Sequence, residues 1–352
     1  MSDNFVDFEK LSEAEEAAAS KPSRLEEMTK SIEGRIYDSF FVNEYGKIES
    51  VRAERYGMSF SVILLQVDSF ASGARKAEGA ELESFMKIVS DIVIKVIRNC
   101  DVAGKLDERR VLMVLPNTDY FGSLITLKKL TKALEPYTHK GDPHASVVVS
   151  QSTFPKDSVG YGELVNMATT RLHEIKTSFW EQKQLKTKLF WEVVALLTSG
   201  SLSGYDFQTF DAGGNSDFNM DYIGRINDAI IKEIIRNPDR RGVLYIGAKN
   251  ISADLPILKT IKNMGRSSTK VFLVGEHVDK NADIRNAIAI TINDPRVTEM
   301  LFTFFLTEHA AYALICKESW GETYNCFHTA NPYIVEGLIT KFQRDMYLQE
   351  QL

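Results

Sequence analysis

The chain has 352 residues, 44% of them apolar, and a formal net charge of -6 at pH 7. This length exceeds one ordinary hydrophobic core and predicts two domains with connecting segments, and the apolar fraction predicts packed globular units rather than disorder. The negative charge argues against a general nucleic-acid binder, because affinity for a phosphate backbone depends on clustered Lys and Arg. It does not exclude a small anionic ligand held by a few local cations.

The cysteines and the N-terminus indicate a cellular setting. Cys100, Cys316 and Cys326 are an odd count without metal-type spacing, which predicts ordinary thiols in a reducing environment. The first residues are acidic and polar, unlike a signal peptide, and no apolar run approaches the ~20 residues that span a bilayer. We therefore expect a cytoplasmic protein with no membrane insertion and with no metal or cofactor motif.

Residues 1–34 are rich in Glu, Ala, Ser and Lys and predict a mobile acidic segment. A short helix is expected within it at Arg24–Ile32, leading into the first domain.

A compact α/β pattern follows over residues 35–178. A helix should end at Gly57, and a long amphipathic helix is expected from Leu82 to Ile97 because its apolar residues recur at intervals of three and four. Runs of consecutive apolar residues predict strands, and apolar residues at helical intervals predict two further helices. The strands are expected at Ser59–Leu65, Val111–Leu115 and Ser146–Ser150, and the helices at Ile125–Leu134 and Tyr161–Ile175.

Several short motifs occur in order along this region. They are RAERYG at 52–57, LLQVDSF at 64–70, DVAGKLDERRVLMVLP at 101–116, FPKD at 154–157 and the stretch from Met167 to Lys176. Together they resemble the GGDEF domain, which in bacteria makes cyclic di-GMP from two GTP. The resemblance implies an α/β fold of the nucleotidyl-cyclase type, a mixed sheet flanked by helices.

The catalytic tip of that family is rewritten in this chain. Where the family reads GGDEF, this sequence has Asp107, Glu108, Arg109, Arg110 and Val111. The resemblance implies metal ligands at the positions of Gln66 and Arg110, so that a neutral amide and a cation replace two carboxylates. Cyclisation of GTP needs divalent ions on hard oxygen ligands, and a fixed positive charge repels such an ion.

Other active-site positions have changed too. Asp107 and Glu108 put side chains where glycines let the nucleotide approach, and the guanine-binding Asn position falls on Ala74, although Glu83 keeps an acid. We therefore expect no diguanylate cyclase activity. The charged tip can instead be a solvated hairpin without a role, a protein-binding surface, or a place where Arg109 and Arg110 hold GTP phosphates without turnover.

A second nucleotide motif survives beside the tip. Arg98-Asn99-Cys100-Asp101 matches the Arg-x-x-Asp inhibitory site with which many members of the family bind cyclic di-GMP. Arg can fork to guanine O6 and N7 or to a phosphate, and Asp can accept from N1 and N2. The resemblance adds a further cation from the following helix, here Lys129. In a plainer interpretation, Asp101 is common in the family regardless of binding, and Arg98 simply suits a helix C-terminus.

The remainder of the chain predicts a linking helix at 179–200 and a second α/β domain at 201–352. The linking helix can pair between subunits or be buried against its own chain. The second domain weakly resembles DICT, a sensory module found beside GGDEF domains. The supporting features are the VFLVG strand at 271–275, Asn293-Asp294-Pro295, a strand at Ala311–Lys317 and the stretch Phe327–Gly337.

The sequence thus predicts a catalytically inactive GGDEF protein of bacterial signalling. It would act as a cyclic di-GMP receptor through Arg98 and Asp101 and relay binding to downstream signalling proteins, with a possible homodimer and no DNA partner. One alternative is a nucleotide-independent protein-interaction scaffold, and another is a residual enzyme acting on GTP.

Overall fold

A computed structural model describes residues 36–70, 78–138, 145–182, 185–199, 214–319 and 323–351. The helix predicted at Arg24–Ile32 and the position of Ala74 lie outside these ranges.

The first sheet has five strands in the order β1-β3-β4-β2-β5. β1 runs parallel to β3, and β4 lies antiparallel to both β3 and β2. The elements are β1 (Ile36–Tyr37), α1 (Ser39–Tyr56), β2 (Phe60–Phe70), α2 (Glu78–Val96), β3 (Val102–Lys105), β4 (Arg110–Pro116), α3 (Tyr120–Thr138), β5 (Ala145–Phe154) and α4 (Tyr161–Lys176). The predicted order of helices and strands and the mixed α/β class are confirmed.

The termini of α1 follow directly from its sequence. Asp38 caps the first turn by accepting a hydrogen bond from the Phe41 backbone N–H at 2.8 Å. Gly57 ends the helix in the left-handed conformation, with φ of 63°, which a residue without Cβ adopts at little cost.

The core of the first sheet lies between α2 and the two central strands. α2 buries the stripe that its spacing predicts, namely Leu82, Phe85, Met86, Val89, Ile92 and Val93. These side chains pack with alternate residues of β2 and β4, namely Ile63, Leu65, Val67, Val111, Met113 and Leu115. Because the residues between them are buried as well, β2 and β4 read as nearly continuous apolar runs.

The chain packs as two compact units. One comprises the described residues up to Asn117 together with Thr126–Val149, and the other comprises Thr118–Ile125 and the residues from Ser150 onward. The second half of β5 and helix α4 therefore belong to the second compact unit. The domain limits 35–178, 179–200 and 201–352, which rest on the motifs, stay a prediction.

The single linking helix predicted at 179–200 is wrong. The segment forms two short helices, α5 (Phe179–Gln182) and α6 (Phe190–Thr198). Between them the Lys341 ammonium donates to the backbone carbonyls of Lys186 and Lys188. These carbonyls are therefore satisfied by a side chain and not by backbone N–H groups of a helix. α6 is buried on its own chain, in agreement with one of the two alternatives. In the described ranges no helix combines the length and the apolar character needed to cross a bilayer.

The second unit contains a seven-stranded sheet in the order β11-β9-β7-β12-β13-β14-β6, parallel across β11, β9 and β7 and antiparallel elsewhere. Its strands are β6 (Gly214–Asn219), β7 (Gly242–Gly247), β8 (Asn250–Ile251), β9 (Thr269–Gly275), β10 (His277–Val278), β11 (Ile288–Thr291), β12 (Met300–Thr307), β13 (Ala311–Glu318) and β14 (Thr323–Thr329). Its helices are α7 (Met220–Arg236), α8 (Pro256–Lys262), α9 (Pro295–Thr298) and α10 (Pro332–Asp345).

The expectation of three ordinary thiols is also wrong. Cys316 and Cys326 are direct cross-strand partners in the β13–β14 pair, with Cα atoms 4.0 Å apart, and they form a disulfide. Both residues are fully buried, whereas Cys100 is a free, exposed thiol. The register of the hairpin brings the two sulfurs together, because residues on opposite strands that share a face lie side by side.

Candidate nucleotide-binding site

The two positions assigned to metal ligands by the resemblance lie directly opposite each other. Gln66 near the end of β2 is the cross-strand partner of Arg110, the first residue of β4. The loop between β3 and β4 carries Asp107, Glu108 and Arg109, and Leu106 closes it by donating its N–H to the Arg110 carbonyl at 3.0 Å. The structure thus brings these side chains into one location.

Asp107 is the centre of the charged tip. Its carboxylate accepts the Arg110 guanidinium Nε–H at 2.6 Å and the Arg109 backbone N–H at 2.9 Å. Partial burial opposes ionisation, but these hydrogen bonds and the Arg110 charge prevail and lower the pKa of Asp107. Two charges of the tip thus neutralise each other.

The rest of the tip is held by Asp68 on β2. The Arg109 guanidinium donates to the Asp68 backbone carbonyl at 3.0 Å, and the Gln66 amide donates to the Asp68 carboxylate at 2.7 Å. Gln66, Arg110 and the loop residues Asp107–Arg109 line an open concavity of about 360 Å³. The arginines proposed to hold GTP phosphates are engaged within the protein.

These residues do not fit a catalytic divalent cation. Such an ion needs several carboxylate or carbonyl oxygens, yet an amide and a guanidinium occupy the two key positions. Within the described ranges no cluster of three or more His, Cys, Asp or Glu side chains is arranged to hold a metal.

Arg98 and Asp101 form one tight turn between α2 and β3. The Asp101 N–H donates to the Arg98 carbonyl at 2.9 Å, and the Arg98 N–H donates to the Asp101 carboxylate at 2.7 Å. Arg98 is exposed and Asp101 is half-buried, with β3 beginning at the next residue. The structure thus places the two predicted residues together at the surface.

The pKa of the Asp101 carboxyl shifts in the opposite direction to that of Asp107. Burial raises the pKa of Asp101, and the hydrogen bond from the Arg98 backbone and the charge of its guanidinium only partly oppose this. No ion pair in the described part of the chain involves the Arg98 guanidinium. The turn therefore keeps an exposed guanidinium beside a carboxylate whose donors are the Arg98 backbone N–H and the Cys100 thiol.

Helix α1 brings Tyr45, which the motifs do not indicate, near this turn, and Glu49 interacts with Tyr45. Burial is the main cause that raises the pKa of Tyr45. The negative charges of Glu49, Cys100 and Asp101 raise it further, so these three groups lie close enough to Tyr45 to interact with it electrostatically. Glu49 is 1% exposed, with its Oε1 atom lacking a hydrogen-bond partner and Oε2 lying 3.5 Å from Arg52.

Gly104 explains the close approach of α1. A Cβ built there would lie 2.7 Å from the Val42 Cβ, so only glycine lets α1 pack this closely on β3. The absence of a side chain at Gly104 in a strand is the one sequence signal of this packing.

Lys129, the third predicted ligand residue, lies exposed on α3. In the described structure it makes no hydrogen bond or ion pair with Arg98 or Asp101. Its role in binding stays a prediction.

Comparisons with known proteins give structural matches. No family model matches the chain, and no curated protein matches it. The chain is similar to a DGC protein from Thermotoga maritima, with 10% identity over 40% of this chain and 97% of that one and a TM-score of 0.34. It is similar to the active GGEEF domain of a diguanylate cyclase from Vibrio cholerae, with 15% identity over 41% and 92% and a TM-score of 0.35. A GGDEF domain from Caulobacter crescentus in complex with c-di-GMP matches at 11% identity over 40% and 86%, with a TM-score of 0.34.

Proposed function

We propose that the protein is a catalytically inactive receptor that binds cyclic di-GMP at the turn formed by Arg98 and Asp101. The observation that carries the proposal is that Arg98, with an exposed side chain, and Asp101 lie on one turn, held by the hydrogen bond from the Arg98 backbone N–H to the Asp101 carboxylate. At the tip, in contrast, Asp107 and Arg110 are paired with each other.

The chemistry of the turn suits a guanine base. The Arg98 guanidinium presents parallel N–H donors to the O6 and N7 acceptors, and the Asp101 carboxylate accepts from N1 and N2. The carboxylate has about four lone-pair sites, and the Arg98 backbone N–H occupies one of them at 2.7 Å. Binding therefore leaves the turn intact and adds charge-assisted hydrogen bonds to both residues.

The absence of catalysis follows from the residues at the tip. Metal-assisted attack by a ribose hydroxyl needs carboxylates where Gln66 and Arg110 stand, and Glu108 adds negative charge near a triphosphate. The Asp107 carboxylate already engages the Nε–H of Arg110 and would oppose the approach of a phosphate to this guanidinium.

The second α/β unit would supply the output. We propose that it is a DICT-like sensory or protein-binding domain and that nucleotide binding changes the surface presented to a downstream signalling protein. A nucleotide-independent scaffold is the competing outcome.

Isothermal titration calorimetry with cyclic di-GMP tests the proposal on wild type, Arg98→Ala and the matched control Arg110→Ala. Removing one charge-assisted contact should weaken binding roughly tenfold to a hundredfold in Arg98→Ala, while Arg110→Ala should bind like wild type. Equal heats from wild type and Arg98→Ala would refute the site, and no binding by wild type would favour the scaffold. Product from labelled GTP with Mg²⁺ would refute inactivity.

A further inference from the structure

Helix α1 carries apolar side chains on two opposite faces. One face, formed by Val42, Gly46, Glu49 and Ala53, is buried. The opposite face is exposed, with Ile48 66% and Val51 68% accessible and Phe41 also exposed at 43%. Within the described ranges the Phe41 ring stacks on Tyr37, with centroids 4.2 Å apart, whereas Ile48 and Val51 stay largely open to solvent.

The exposed face has the spacing of a helix-pairing seam. Phe41, Glu44, Ile48, Val51 and Arg55 alternate at intervals of three and four residues, which keeps them on one side of the helix. We call these five residues the α1 seam. Ile48 and Val51 form its apolar centre, with the acidic Glu44 on one side of the centre and the basic Arg55 on the other.

We propose that the α1 seam pairs antiparallel with the same seam of a second copy of this chain. In that arrangement Ile48 packs against Val51 of the partner subunit, and Glu44 faces Arg55 of the partner subunit. A two-fold axis repeats each contact, so one seam supplies two apolar layers flanked by two ion pairs.

The charge order selects a second copy as the occupant. An antiparallel copy places opposite charges together at both ends, whereas a parallel copy places Glu44 against Glu44 and Arg55 against Arg55. Within the helix, Glu44 contacts Lys47 at 2.6 Å, and both side chains are about half exposed or more, so this contact is weak enough to rearrange.

The proposed contact is small and should be weak. α1 has 18 residues, and a helix of that length extends about 27 Å. A stable complex commonly buries ~1,200 Å² or more, so a single helix pair predicts a concentration-dependent dimer. The seam shares no residue with the Arg98–Asp101 turn, and pairing therefore requires no nucleotide.

Sedimentation velocity of the full chain over a concentration series tests the pairing without added nucleotide. Wild type should dimerise, and Val51→Glu should raise the dimer dissociation constant roughly tenfold or more, because it introduces an unpaired charge into an apolar layer. Val159→Glu is the control, since Val159 is 71% exposed and lies outside α1. Circular dichroism should show the same fold in all variants.

A charge exchange gives the sharper test. Glu44→Arg alone and Arg55→Glu alone should each weaken the dimer, while the double variant Glu44→Arg/Arg55→Glu should recover it. A wild type that stays monomeric, as it would if residues 1–34 covered the seam, overturns the proposal. So does a dimer that Val51→Glu leaves unchanged, or a double variant no better than the single ones.

Discussion

Asp101 and Asp107 flank the short strand β3, yet their surroundings move their pKa values in opposite directions. Asp107 lies against an arginine side chain and two backbone donors, which favour its charge. Asp101 is more deeply buried and accepts one short hydrogen bond, from the Arg98 backbone N–H, and a longer one of 3.7 Å from the Cys100 thiol. A carboxylate already satisfied by its own chain has little to gain from a ligand, whereas a desolvated one gains from each added donor.

The largest effect that tests this comparison concerns binding. Asp101→Asn keeps an oxygen to accept the Arg98 N–H, so the turn persists, but it removes the negative charge that the guanine N–H groups would meet. We expect cyclic di-GMP affinity to fall roughly tenfold to a hundredfold, because hydrogen bonds to charged groups contribute about 1.5–3 kcal/mol. Asp107→Asn is the matched control in calorimetry and should leave affinity unchanged. Equal losses in both variants would remove the distinction between the two aspartates.

A smaller effect concerns pH. The raised pKa of Asp101 stabilises the folded state below its ordinary value of 3.8, and this contribution is lost as pH rises through the raised folded value. The lowered pKa of Asp107 stabilises the fold above 3.8, and that contribution is lost as pH falls through its folded value. Carboxyl chemical shifts followed by NMR should show the two aspartates on opposite sides of 3.8.

The same titration sharpens the comparison when nucleotide is present. Because donors from guanine favour the charged carboxylate, bound cyclic di-GMP should lower the pKa of Asp101 and leave that of Asp107 in place. Affinity should therefore weaken as pH falls through the pKa of free Asp101. An unmoved Asp101 resonance in the bound state would contradict this.

The smallest effect concerns stability. Asp107 and Arg110 have side chains 41% and 36% exposed, and exposed ion pairs of this kind contribute about 0.2–1 kcal/mol. Arg110→Ala should lower the free energy of unfolding by that amount in urea denaturation. A loss of several kcal/mol, of the size seen when buried pairs are broken, would mean that the tip is an essential part of the fold.

Regular apolar patterns made much of the first sheet predictable. The stripe on α2, the buried runs of β2 and β4 and the stop at Gly57 all depend on spacing within one short segment. The Arg-x-x-Asp motif likewise made the closeness of Arg98 and Asp101 predictable, because only two residues stand between them.

Features that depend on distant partners were not predictable in the same way. β6 reads as a polar loop, GNSDFN, and becomes a strand through pairing with β14. Tyr45 approaches the Arg98–Asp101 turn through the packing of α1 on Gly104. The Cys316–Cys326 pair had a usable signal, since the two residues stand at equal distances from the centre of the β13–β14 hairpin.

The break between α5 and α6 has a consequence for how the segment after α4 is held in the fold. The Lys186 and Lys188 carbonyls accept from the Lys341 ammonium and not from backbone N–H groups of a helix, so α5 and α6 are not one continuous rod. The Trp180 side chain fixes this segment, because its indole donates to the Tyr333 carbonyl at 3.0 Å and fills the space beside Gly337. The segment after α4 is thus held on α10 by side-chain contacts and does not form a continuous helix from α4 to α6.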